Sequence, residues 1–142
     1  MLYSIGYEGR TIKQFVETLQ LAGVDVLVDV RLTAVSRKPG FSKTRLSESL
    51  AVAGIDYVHE RLLGNPKDNR DAFRGDDLEA GRRRFAKVLS NGSSDALDRL
   101  VVRACDAKVA VLCVERDSSR CHRQVITEAA QDLRPSLIVV DL

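Results

Sequence analysis

Val109-Ala110-Val111-Leu112-Cys113-Val114-Glu115-Arg116-Asp117-Ser118-Ser119-Arg120-Cys121-His122-Arg123 is the stretch whose reading decides the fold. Its opening run, 109–114, is continuously apolar, as expected of a central strand covered on both faces. Past a short polar turn the pattern changes. Val125, Ile126, Ala129, Ala130 and Leu133 form a stripe at helical spacing, so a helix is expected over 119–133, ended by Pro135.

The same alternation runs outward in both directions. Strands are expected over 3–5, 26–30, 55–59 and 137–140. Thr11 can cap a helix carrying Ile12, Phe15, Val16 and Leu19 that Gly23 ends, and Ser42 one carrying Leu46, Leu50 and Ala53 that Gly54 stops. Asp76 with Glu79 resembles a capping box for a helix through Phe85, Val88 and Leu89, which Asn91-Gly92 breaks. Ser93 or Ser94 starts another, with Leu97, Leu100, Val101 and Ala104 inward. Strands alternating with helices imply a three-layer α/β domain: a mostly parallel five-stranded sheet with helices on both faces, Rossmann-like or flavodoxin-like. Right-handed crossovers leave orders such as 3-2-1-4-5 and 2-1-3-4-5. The polar stretch 63–70 reads as a mobile lid or binding loop.

Composition sets the outer bounds. A chain of 142 residues suits a single domain, 1–142, with a core of its own. No apolar run reaches the roughly 20 residues of a membrane span, so no membrane partner is expected. The first residues do not resemble a signal peptide, which points to the cytoplasm. Three cysteines, an odd number, argue against a disulfide framework. A net charge of +2 gives no strong field toward nucleic acid, although the basic residues are mostly arginine, suited to phosphate and carboxylate.

In a parallel sheet every strand-to-helix loop leaves the carboxyl edge, where ligands bind. That edge collects Asp29 and Arg31, then His59 and Glu60, then Cys113 and Glu115. Both histidines and two of the three cysteines fall there. Cys105 should lie at the opposite edge, in a structural role. One turn back along the last helix from Val125 and Ile126 lie Cys121 and His122, which should face the sheet. A thiol in a first helical turn has its pKa lowered from ~8.5 toward ~7 or below. Arg120 and Arg123 would push it the same way, and Asp117 would oppose them.

These residues also match a family. Cys113-Val114-Glu115, then Asp117 to Cys121-His122-Arg123, resembles the signature of the domain of unknown function 488 family. Ser4-Ile5-Gly6-Tyr7 resembles its opening strand and turn, and Val28-Asp29-Val30-Arg31 its VDVR element, followed by Ser36-Arg37 to Phe41. Ala53 to His59 resembles its AGIxYxH strand, and Leu63-Gly64 its LG turn. Ser118 stands where the family usually has proline, as does Ala34 near the VDVR element. The resemblance implies a small cytosolic α/β domain, and its cysteine pair suggests an enzyme.

The reading that follows is an enzyme acting on an anionic substrate that carries phosphate, a nucleotide or nucleic acid. Cys113 or Cys121 would be the nucleophile, His59 or His122 the base, and Glu115 or Asp29 would orient it or move protons. Arg31, Arg37 and Arg123, with Tyr7 in the opening turn, would bind the substrate. Asp29 with Arg31 has a plainer reading as a buried structural pair. Cys113 and Cys121 could instead form a redox disulfide, though no C-x-x-C motif is present. With His122 and His59 they could ligate zinc, although neighbours on a helix project about 100° apart. No other cofactor is expected. A nonenzymatic nucleic-acid module would use Arg37, Lys38, Lys43 and Arg45, with Arg82-Arg83-Arg84. A triple arginine is more often a solvated helix face, and aromatic residues for base stacking are few.

Overall fold

The computed structural model describes residues 1–75 and 77–142. Five strands alternate with helices along the chain: β1 (Leu2–Gly6), α1 (Ile12–Ala22), β2 (Val26–Asp29), α2 (Lys43–Val52), β3 (Asp56–His59), α3 (Arg70–Arg74), α4 (Leu78–Asn91), α5 (Ser94–Asp106), β4 (Val109–Cys113), α6 (His122–Leu133) and β5 (Val139–Asp141). All four pairings are parallel. The α/β reading is thus correct, with every strand parallel.

The strand order is β3-β2-β4-β1-β5, which is neither of the expected orders. β4 is inserted between β1 and β2. The reason is in its composition. Val109 to Cys113 are all buried, and the centre is where a strand without a polar face is covered on both sides.

Alternation along β4 divides the core into two layers. Ala110 and Leu112 join Phe15, Leu19, Phe41, Leu46 and Leu50 beneath α1 and α2. Val109, Val111 and Cys113 join Phe85, Leu97, Leu100, Val125 and Ile126 beneath α4, α5 and α6. The period of two therefore fixes the layer into which Cys113 projects.

Local signals fix several helix ends. Thr11 and Gln14 form both arms of a capping box, with the Gln14 N–H donating to Thr11 Oγ1 at 3.1 Å and the Thr11 N–H to Gln14 Oε1 at 2.9 Å. Gly23 ends α1 in the left-handed conformation at φ 72°. Asp77 precedes α4 without a side-chain cap, and the expected cap Asp76 lies outside the described residues.

The stretch 63–70, expected as a mobile lid or binding loop, is folded. 3₁₀ turns at Arg61–Leu63 and Lys67–Asn69 lead into α3, and Leu63, Gly64, Asn65, Asn69 and Phe73 are buried. Asn69 Nδ2 donates to Asn65 Oδ1 at 3.0 Å and to the Gly81 carbonyl at 2.9 Å, tying the stretch to α4. Among the described residues no helix is long and apolar enough to cross a membrane.

Candidate functional site

Cys113 is the last residue of the central strand. Beyond it, Asp117 accepts from the Ser119 N–H at 3.0 Å and from its hydroxyl at 2.6 Å, closing a 3₁₀ turn over Ser118–Arg120. α6 therefore starts at His122 rather than near Ser119, and Cys121 is its N-cap. The delay has a geometric consequence. Cys121 takes an extended conformation, φ −133° and ψ 151°, so it and His122 no longer follow the helical 100° rule.

The thiols of Cys113 and Cys121 and a ring nitrogen of His122 consequently converge, all within 4.8 Å of one another. His122 Nε2 lies 2.8 Å from the Val30 carbonyl oxygen, which can only accept, so Nε2 carries a proton. Nδ1 is left facing the sulfurs, 3.6 Å from Cys121 Sγ. The ring also meets Phe85 edge-on, with centroids 5.0 Å apart.

These groups share charge. The hydrogen bond from Cys121 holds the Cys113 thiol well below its ordinary pKa; burial opposes this, and the His122 charge and hydrogen bond assist. Cys121 is pushed well above its ordinary value by burial and by the neighbouring Cys113 thiolate. Burial disfavours a charged His122, yet the Cys113 thiolate and the Val30 carbonyl outweigh it and raise the pKa. These directions favour a Cys113 thiolate and a charged His122, with the Cys121 thiol placed to donate to the sulfur. This reverses the expectation that Cys121, at the helix start, carries the lowered pKa. A helix terminus acts weakly on a thiol whose nearest partner is already negative.

The cluster opens into a crevice of about 130 Å³. Arg31, Leu32, Thr33 and Val35 form one wall, with Asn65, Arg70, Phe73 and Arg74 on another and Glu115 and Arg120 beside the sulfurs. Five of the sequence-selected residues thus meet: Cys113, Cys121, His122, Glu115 and Arg31. The other five lie elsewhere. Asp29 is fully buried, bound to Arg31 at 2.9 and 2.7 Å and accepting from Tyr57 Oη at 2.6 Å. That is the plainer reading of the pair. Burial disfavours the Arg31 cation, but Asp29's hydrogen bonds and charge outweigh it and raise its pKa. His59 Nε2 donates to the Arg31 carbonyl at 2.7 Å. Tyr7 is buried and stacked on Phe41, with centroids 4.5 Å apart. Arg37 is exposed and lies outside the crevice.

Arg123, expected to bind substrate, is buried and holds backbone instead. Its Nη1 donates to the Ile5 carbonyl at 2.5 Å and its Nη2 to that of Glu115 at 2.6 Å. Gly6 completes this clasp. A β-carbon there would stand 1.9 Å from the Glu115 carbonyl oxygen, so β1 passes too close to the loop for any side chain. Gly6→Ala should force the backbone apart and cost about 1–3 kcal/mol, as overpacking does. Denaturant melting checks this; an unchanged midpoint would show the loop to be compliant.

Asn65, Arg70 and Arg74 were not singled out in the sequence, although the first two lie in the stretch 63–70 expected as a mobile lid or binding loop. Arg70 and Arg74 sit on a helix of five residues. A further signal was the spacing of Arg70 and Arg74 on either side of Phe73, which puts two cations one turn apart.

The fold and the cluster define a class: an all-parallel α/β domain with a Cys–Cys–His group at the carboxyl edge of its central strand. The chain belongs to the family described as Domain of unknown function DUF488, whose model matches residues 11–130. No curated protein and no solved structure is similar enough to count as a match.

Proposed function

We propose that the protein is a cysteine-dependent group-transfer enzyme acting on an anionic substrate, with Cys113 as nucleophile and His122 as its acid–base partner. The supporting observation is the convergence of two thiols and the Nδ1 of a histidine whose tautomer the Val30 carbonyl fixes. The Cys113 sulfur forms a bond to the electrophilic atom as the leaving group departs with its electron pair. His122 gives its Nδ1 proton to that leaving group. Water, deprotonated by the now neutral Nδ1, then releases the transferred group from sulfur and restores the imidazolium. Glu115 lines the crevice and is positioned to bind a substrate donor.

Zinc is a second reading, favoured by one distance. Cys121 Sγ and His122 Nδ1 lie 3.6 Å apart, close to the separation that two tetrahedral zinc ligands show, and the second ring nitrogen is anchored on a carbonyl as metal-bound histidines are. Cys113 would be the third ligand, with the fourth position open to the crevice.

Alkylation with iodoacetamide, read by peptide mass across pH, tests the first reading, and metal analysis of the purified protein tests the second. Cys113 should react first and keep reacting below neutral pH, ahead of the exposed Cys105. If Cys113 reacts no faster than Cys105 below neutral pH, the nucleophile reading fails. Stoichiometric zinc would replace it with the metal reading.

A further inference from the structure

We propose that the crevice beside Cys113 recognises one tetrahedral oxyanion, the phosphoryl group of a phosphate monoester, through Arg70, Arg74 and Arg120. The inference deepens the preceding one, because it names the substrate class of the same site. Four arginines line the crevice. Arg31 is engaged with Asp29 and with the Phe41 carbonyl at 2.7 Å. Arg70, Arg74 and Arg120 have neither an ion pair nor a side-chain hydrogen bond among the described residues, and only Glu115 opposes them within the lining. Three free guanidinium forks facing one carboxylate favour a group with more than one negative charge.

Asn65 gives an independent indication. It is 6% exposed and lines the crevice, and its carbonyl oxygen is occupied by Asn69. Its amide nitrogen has no partner among the described residues. That nitrogen is not sealed from solvent but belongs to a residue lining the crevice, so it is free to donate to an anionic oxygen there. The Thr33 hydroxyl lines the same wall.

Size narrows the class. The crevice, about 130 Å³, is well under the ~300 Å³ at which pockets for whole organic ligands begin. It admits a phosphoryl group and leaves the ester's organic part outside. Val35 and Val114 line the crevice and are 69% and 36% exposed, which gives that organic part apolar surface to cover.

The test uses inorganic phosphate, phenyl phosphate and phenyl sulfate at constant ionic strength. Calorimetric titration of the intact protein reads binding without the thiol, and protection of Cys113 from iodoacetamide reads its location. Phenyl phosphate should bind and protect, more tightly than inorganic phosphate, and phenyl sulfate at least tenfold more weakly. Arg70→Gln and Arg74→Gln should each weaken phenyl phosphate by roughly tenfold, the loss of one charge-assisted hydrogen bond. Arg84→Gln, exposed on α4 outside the crevice, should not. A reactive Cys113 with no phosphate binding would overturn this inference and leave the nucleophile standing. Equal binding of sulfate would overturn the preference for a dianion. Binding with an unreactive Cys113 would overturn the nucleophile and leave recognition standing.

Discussion

Asp29→Ala should destabilise the protein by about 3–5 kcal/mol, the cost of removing one partner of a buried ion pair. The carboxylate is fully buried and accepts four hydrogen bonds: from the Arg31 backbone N–H at 3.1 Å, from Arg31 Nε and Nη2, and from Tyr57 Oη. Without it, Arg31 keeps its charge at 4% exposure with only the Phe41 carbonyl as partner. Tyr57 loses its acceptor too; burial and Asp29 together hold its pKa well above the ordinary tyrosine value. Against a typical total of 5–15 kcal/mol, this is a large share. The melting temperature should fall by roughly 10–20 °C for a chain of this length. A shift of only a few degrees would mean that water reaches Arg31 and the pair is not buried in solution. A double variant, Asp29→Ala with Arg31→Met, should recover part of the loss, since it removes the stranded charge.

The damage should extend to the crevice. His122 and His59 donate to the Val30 and Arg31 carbonyls, so both histidines grip the segment that Asp29 organises. This explains why polar residues gather at the edge without all entering the site. Some of them build the wall against which the others work.

The parallel sheet was legible because period-two runs and helical stripes alternate along the chain, and from it the carboxyl edge could be placed. Gathering Cys113, Glu115 and Arg31 needed only that edge, and Cys121 and His122 needed the spacing of the last helix as well. The strand order was not legible, because patterning says which residues are buried and not which strand lies beside which. Only the unbroken apolar character of β4 hinted at its central place. Asp29 was ambiguous for a different reason. A carboxylate at a strand end looks the same in the sequence whether it faces a ligand or an arginine two residues on.

Arg123 and Cys121 show a finer limit. Cys121 was placed by helical spacing back from Val125 on a helix expected to start near Ser119, and Arg123 was assigned to substrate only because its guanidinium suits an anion. The Asp117 cap instead closes a 3₁₀ turn and delays the helix to His122. A shift of three residues leaves the apolar stripe in place and changes what the first turn presents. Arg123 then reaches across to β1 and Cys121 becomes the N-cap. Element ends depend on single hydrogen bonds, to which periodicity is blind.

His122→Gln should raise the pKa of Cys113, leaving the Cys121 hydrogen bond as its main support, and lower its alkylation rate at pH 6 several-fold. Glutamine can still donate to the Val30 carbonyl, so the fold should persist, but it carries no charge. The imidazolium's charge and hydrogen bond both favour the thiolate, and their loss moves the thiol up toward the ~8.5 of a free cysteine. At a pH below the thiol's pKa in both proteins, a roughly tenfold weaker acid holds roughly tenfold less thiolate. A more basic thiolate is also more nucleophilic, so the net loss of rate for that change is only about three- to fourfold. In the wild type the thiolate of the pair is present above the lowered Cys113 pKa, and the imidazolium persists until the pH passes the raised His122 value. The acid in turnover is therefore lost at the alkaline limit, and the nucleophile at the acidic one. Cys121→Ser, which keeps a donor beside the sulfur, should shift the reactivity of Cys113 less than His122→Gln does. If the histidine variant reacts at pH 6 as fast as the wild type, the imidazolium does not hold the thiolate, and the charge pairing assigned to this cluster is wrong.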